Sequence, residues 1–409
     1  TIASHENPRV LQLFGKVVIF RAGQRPLEFD GDFAVAAPAF TAKSTSSPGA
    51  GLIACPNAGF GVYFRNRLIV PNPDDSPTTI ILSDIFDDNT FLRTDGEFFL
   101  NKGTSDETRA LIPYLEDQLL CMNKRSIHIL NNLTNPTSAN TYEITRQFGI
   151  IGPEAWAQSG AYTYFISAEG DVQVITPQTD PAKGMGIAVS KALAENVPVS
   201  RPIQKVMDRM NIAAGKEARG ITFKNRVYFA IPLDNSEINS TCIVYDALLS
   251  AWVSIDTFPT DFGIKNFATM QIGNEERLMV LGTDGSLYLF EESDMDEIGG
   301  VSTLISSKIK SRSYLVGDRG IKRFLRGQIG VEDSIGSSVA ITAGTTSPDT
   351  TTEVRREFEP TPGYRLIRFG LRRRGYACDL ELTTLTGRPT IKNFQLEGAV
   401  STRATRDVG

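Results

Sequence analysis

Imidazole is the side chain best suited to proton transfer near neutral pH. This 409-residue chain holds two, His5 and His128. His5 lies in a polar N-terminal stretch. His128 lies in Ser126-Ile127-His128-Ile129, whose alternation predicts a strand with the imidazole on its polar face. No group of His, Cys and carboxylates has metal-ligand spacing, and so little histidine argues against a Ser-His-Asp or Cys-His nucleophile. The four cysteines, Cys55, Cys121, Cys242 and Cys378, stand far apart, each in or beside an apolar run. They read as small buried hydrophobes, not as a zinc ribbon or redox pair. No phosphate-cradling or dinucleotide glycine motif occurs. The expectation is a chain with no catalytic residue, no metal and no cofactor.

Two charged groups remain. Asp84, Asp87, Asp88 and Asp95 crowd into SDIFDDNTFLRTDGE. Such carboxylates could hold calcium or work as an acid–base pair, as in glycosidases, some of which are propellers. The spacing is not that of an EF-hand, and a solvated turn is the favoured reading. The other group is basic: Arg365, Arg368, Arg372, Arg373 and Arg374 in YRLIRFGLRRRGYACDLEL. These arginines suit a contact to a neighbouring subunit or to DNA, or a strand edge that positive charge keeps from unwanted pairing.

The elements that carry these groups show a repeat. A two-strand unit recurs six times in the first 290 residues, with turns near Gly23, Asp75, Lys124, Gly170, Asn235 and Asp284. The spacings are 52, 49, 46, 65 and 49 residues. Residues 277–290, RLMVLGTDGSLYLF, show the pattern: alternation, an Asp-Gly turn, alternation again. Residues 66–84 and 225–246 match most closely; both open on Asn-Arg and close on an apolar run ending in Asp. A strand-built period of about 50 residues predicts a β-propeller of about six blades. The one long interval contains residues 183–215, read as a helical insertion with Ser200 as N-cap and Ile203, Val206, Met207 and Met210 on one face.

The acidic text EESDMDEIGG at 291–300 reads as a boundary loop. Beyond it, strands are predicted at 303–315, 322–331, 337–343, 364–373, 376–384 and 390–400 without the repeat, which suggests a sandwich or barrel. The domains are thus 1–295, a propeller, and 296–409, a β-sandwich-like domain. The hydrophobic share of 41% suits a sizeable core, and no apolar run approaches a membrane span. A net charge of −5 argues against a protein dedicated to coating nucleic acid, though not against one that lets DNA slide past.

Several of these texts, in their order, resemble the propeller-containing tail proteins of short-tailed bacteriophages, the nozzle or tail-hub proteins and the accessory factor that plugs the portal. The resembling segments are Asn66-Arg67-Leu68 with Leu82-Ser83-Asp84 and Phe91, Tyr164-Phe165-Ile166-Ser167 with Gly170-Asp171-Val172, and Ile203 to Asn211 before Tyr228-Phe229. Val244-Tyr245-Asp246 with Ala251-Trp252, and Gly387-Arg388-Pro389 through Leu396-Glu397-Gly398, complete the set. The resemblance implies a structural protein of the virion tail, made in the host cytoplasm, forming a homo-oligomeric ring, six-fold by analogy. Its partners would be portal or adaptor proteins, tail fibres or a tail tip, and double-stranded DNA in passage. The alternatives are a propeller that binds or hydrolyses glycans and a cellular scaffold propeller.

Overall fold

The computed structural model describes residues 8–21, 23–29, 31, 40–44, 49–179, 189–194, 197–259, 261–290, 295–315, 321–332, 337–346, 351–358, 363–387 and 389–400. Thr1–Phe290 forms one compact unit and Glu291–Gly409 a second.

The first unit is a succession of six antiparallel sheets. Sheets one to five have four strands each; the sixth has three among the described residues. In each sheet, strands adjacent in sequence are adjacent in space, with one exception. In sheet two, Phe91–Leu92 leaves the order and pairs with Leu52–Ile53 instead. The first strands are Arg9–Leu13, Val62–Phe64, Thr108–Tyr114, Trp156–Ser159, Arg219–Phe223 and Ile264–Ile272. First strands approach one another between sheets one and two, two and three, four and five, and five and six. Between sheets three and four, the Gln158 amide donates to the Pro113 carbonyl at 2.7 Å. The first strands therefore surround a common axis, and the unit is a β-propeller.

Each of the six turns read from sequence joins the second and third strands of a blade. In blades two to five these middle strands are covered on both faces, which explains their near-continuous apolar text. Arg67–Pro71 is buried throughout. Its Leu68 and Val70 join the core with blade one, while Ile69 joins the core with blade three. The repeated Asn-Arg has a backbone cause. Arg65-Asn66 and Lys224-Asn225 all take positive φ (46° to 63°), the conformation of a tight two-residue hairpin turn. The Asn carbonyl then accepts the N–H of Phe86 in one blade (2.9 Å) and of Ala247 in the other (3.0 Å).

The helical insertion needs correcting. Val189–Ala194 is a strand, the fourth of blade four, paired with Val172–Thr179. Residues 183–188 lie outside the described residues. Among the described residues of this insertion, helix is limited to short turns at Arg201–Ile203, Gln204–Met207 and Gly215–Glu217. Ser200 does not cap with its side chain; its Oγ accepts the N–H of Val172 at 3.0 Å, tying the segment to blade four. Met207 and Met210 are buried in the core of blades three to five, with Ile203 and Val206 packed against it.

The second unit is a sandwich. One sheet has the order Lys308–Lys310, Ala377–Thr386, Ser338–Thr346, Thr351–Phe358; the other has Arg365–Gly375, Lys322–Glu332, Thr390–Val400. Phe324, Ile329 and Phe369 of the second sheet meet Val339, Ile341 and Leu380 of the first in one core. Thr351–Phe358 is a further strand, and the strand predicted at 337–343 runs on to Thr346. Gly299-Gly300 is a hairpin turn with both φ positive, joining Met295–Ile298 to Val301–Leu304, and not an open boundary loop.

Candidate functional site

The five arginines singled out by sequence all fall on Arg365–Gly375. This strand lies at the edge of its sheet, paired on one side only, with Lys322–Glu332. Regular alternation would send neighbouring side chains to opposite faces. A register shift opposite Phe324/Arg326 breaks that rule, and Arg372 sits within it at φ 46°. A bulge of this kind re-aims side chains. Arg372, Arg373 and Arg374 are consequently all exposed, as are Arg365 and Arg368, while Phe369 and Leu371 enter the core. Several cations elsewhere in the unit are paired: Lys308 with Glu381, Lys310 with Asp379, Arg326 with Glu397 and Lys392 with Glu332, at 2.5–3.1 Å. Among the described residues, none of the five edge arginines has an ion-pair partner. The strand is a row of exposed guanidinium groups suited to bidentate contact with carboxylates or phosphates.

A second charged cluster lies at the propeller axis and was not foreseen. Arg9 Nη1 lies 2.8 Å from Glu154 Oε1, and Arg219 Nε lies 2.7 Å from Glu154 Oε2. That Nε has no hydrogen-bonding partner, so the second contact is an ion pair without hydrogen-bond geometry. Arg219 also faces Glu217 at 3.6 Å. Burial pulls the Arg219 pKa down, as does the neighbouring Arg9 cation, and Glu154 and Glu217 oppose both. Arg109 donates to the Ile151 carbonyl at 2.8 Å, stitching blade three to the entrance of blade four. The common signal was position: Arg9 and Arg219 open an innermost strand, and Glu154 lies two residues before one.

The four aspartates do not converge. Asp88 is buried against Lys43, whose ammonium also binds Glu28 (2.8 Å) and Asn89 (3.1 Å). Asp87 accepts the N–H of Asn89 at 2.8 Å, and Asp84 accepts that of Ile85 at 2.7 Å. Asp84 and Asp95 face solvent. The segment thus fastens blade one to blade two through Lys43 and presents an exposed tip, Ile85-Phe86. No group of His, Cys, Asp and Glu fit to hold a metal occurs among the described residues.

His128 is buried, as Ser126 and Asp106 are, beneath a cleft of ≈ 260 Å³ whose walls include Lys124, Arg125 and Arg146. His128 thus faces inward, among polar and charged neighbours. Ser126 Oγ accepts from Asn123 Nδ2 (3.0 Å) and donates to Asp106 Oδ2 (2.5 Å). Its one proton is committed, so the contact at 3.0 Å to His128 Nε2 must be donated by the imidazole. Histidine here supports the serine and does not deprotonate it, which is the reverse of a nucleophile's arrangement. Burial pushes the His128 pKa below 6.5, against the opposing pull of Glu143 and Asp106. A depressed folded-state pKa means the unfolded chain protonates first, so this stabilisation is present above 6.5 and lost as pH falls below it. His128→Gln is expected to flatten the decline in urea midpoint between pH 7.5 and pH 5. An unchanged slope would show that His128 plays no part in it. His5 lies outside the described residues.

All four cysteines are buried and none forms a disulfide. Burial pushes the Cys55 thiol up to about 12, which makes it inert as a nucleophile.

No protein-family model and no curated protein matches the sequence. Solved structures do. The N-terminal domain of Nup159 aligns at TM-score 0.40 and 10% identity, covering 69% of this chain and 74% of its own. YCF48 bound to D1 peptide aligns at 0.36 and 9%, covering 71% and 79%. An exo-β-1,3-galactanase from Phanerochaete chrysosporium, with β-1,3-galactotriose, aligns at 0.29 and 6%, covering 96% and 94%. At such scores these likenesses carry no argument about activity. The propeller assignment rests on the sheets described above.

Proposed function

We propose that this protein is a structural component of a bacteriophage tail. In this reading it forms a ring below the portal that extends the DNA channel, retains the genome and docks fibres or a tail tip. The observation that carries the proposal is the outward face of blade six. Its other face packs Phe267, Leu278 and Val280 against blade five. The outward face leaves Met270 (47%), Ile272 (45%), Leu287 (52%) and Leu289 (49%) in water. An apolar face of this kind is a surface made for assembly. Burying it recovers about 25 cal/mol for each Å² removed from water.

Charge supports the same reading. Residues 1–290 carry 24 Lys and Arg against 31 Asp and Glu; residues 291–409 carry 18 against 16. A negatively charged propeller does not grip a phosphate backbone, which suits the wall of a conduit. Ring closure requires a heterologous interface, in which two different surfaces of one chain meet. No helix among the described residues is long and apolar enough to cross a membrane. Native mass spectrometry and negative-stain microscopy of the isolated protein are expected to show closed rings. Monomers alone, across salt and protein concentration, would overturn the proposal.

A further inference from the structure

Two exposed surfaces on different units are chemically complementary. The first is the arginine strand, 11 residues and about 36 Å long. Its exposed arginines are joined on the surface by exposed Tyr364 and Leu366. The second is the blade-two loop. There Phe86 is 66% exposed and Ile85 46%, and the same segment exposes Asp84, 3.9 Å from Arg67, and Asp95.

The backbone at Phe86 is unusual. It sits at φ 57°, a region costly for a bulky side chain. The strain is held by the Phe86 N–H on the Asn66 carbonyl (2.9 Å) and by the Phe14 ring, 6.1 Å between centroids. The phenylalanine keeps this conformation with 66% of its surface in water.

We infer that the arginine strand of one copy docks on the Asp84–Asp95 loop of a second copy. Guanidinium groups meet the carboxylates and one stacks on the Phe86 ring, while Leu366 and Tyr364 cover Ile85. A strand on one unit meeting a loop on the other makes the contact heterologous, as a closed ring needs. Acidic protein surface is favoured over nucleic acid as the partner for two reasons. The chain supplies a matching acidic and apolar loop of its own, and exposed Leu366 and Tyr364 have a hydrophobic counterpart there. This inference rests on the ring reading and names one of its interfaces.

The test is a charge swap in the full chain, with assembly followed by mass photometry. Arg368→Glu with Arg374→Glu is expected to weaken assembly at least about tenfold, as is Asp84→Lys with Asp95→Lys; combining the four should restore most of it. Phe86→Asn keeps a residue tolerant of positive φ and removes the ring, so it should weaken assembly as well. Unchanged urea midpoints would confirm that each variant folds. Rings that assemble equally well in both charge-reversed variants overturn this interface and leave the ring reading standing. Wild-type monomers alone overturn both. Loss of binding to a duplex DNA fragment by the arginine variants, with assembly unaffected, would instead make nucleic acid the partner and overturn the inference.

Discussion

Replacing Gly149 with alanine should destabilise the propeller by about 3 kcal/mol or more, at the upper end of overpacking costs. A Cβ built there lies 2.0 Å from the Asn123 carbonyl oxygen, 2.5 Å from the Lys124 carbonyl carbon and 2.7 Å from the Arg125 nitrogen. All three are backbone atoms of the blade-three turn, so no side-chain rotation relieves the clash. The same backbone is doing a second job, because the Ile150 N–H donates to the Asn123 carbonyl at 2.9 Å. Gly220 repeats the situation between blades four and five, with its Cβ 2.4 Å from the Trp156 carbonyl oxygen. The two tryptophans of the chain, Trp156 and Trp252, lie in blades four and five and report unfolding there by fluorescence. Gly370→Ala is the control: its Cβ meets nothing within 4 Å and its φ is not positive, so it should change little. A Gly149→Ala urea midpoint equal to the wild type would disprove the close approach of the two backbones.

Lys43→Met should cost more, about 3–5 kcal/mol, because it leaves a buried carboxylate without its cation. The Lys43 side chain is 0% exposed and that of Asp88 5%. Lys43→Met combined with Asp88→Leu should recover much of that loss, since an apolar pair of similar volume is often neutral. Glu28 gives the pH arm. Burial, the largest influence, raises its pKa, but the hydrogen bonds and charges of Lys16 and Lys43 together lower it below 4.5. A lowered carboxylate contributes stability above its unfolded pKa and loses it as pH falls through the folded one. The variant should therefore lose part of the wild type's acid sensitivity below 4.5. A fully additive double-mutant cycle would show that Lys43 and Asp88 do not interact.

The sequence exposed the blades through their middle strands, and physics explains why those alone. Strands two and three of blades two to five are covered on both faces, so their apolar runs and turns are unmistakable. The innermost strands are short, as with Val62–Phe64, or carry charges at the axis, and their text is ambiguous. Val189–Ala194 misled because VSKALA has good helix formers, yet the open edge at Val172–Thr179 recruited it as a strand. Tertiary pairing overrode propensity there. The arginine strand was legible as a run, but not its bulge, since nothing in Arg372-Arg373-Arg374 marks a positive φ. The axial cluster was invisible because its members come from blades one, four and five.

That axial cluster limits the route DNA can take. Arg9 and Arg219 reach Glu154 from different blades, so salt links lie across the centre of the wheel. A duplex cannot thread a hub spanned in this way. If a genome passes this protein, its path runs through the opening that neighbouring subunits enclose, with each propeller standing as one stave of a barrel around it.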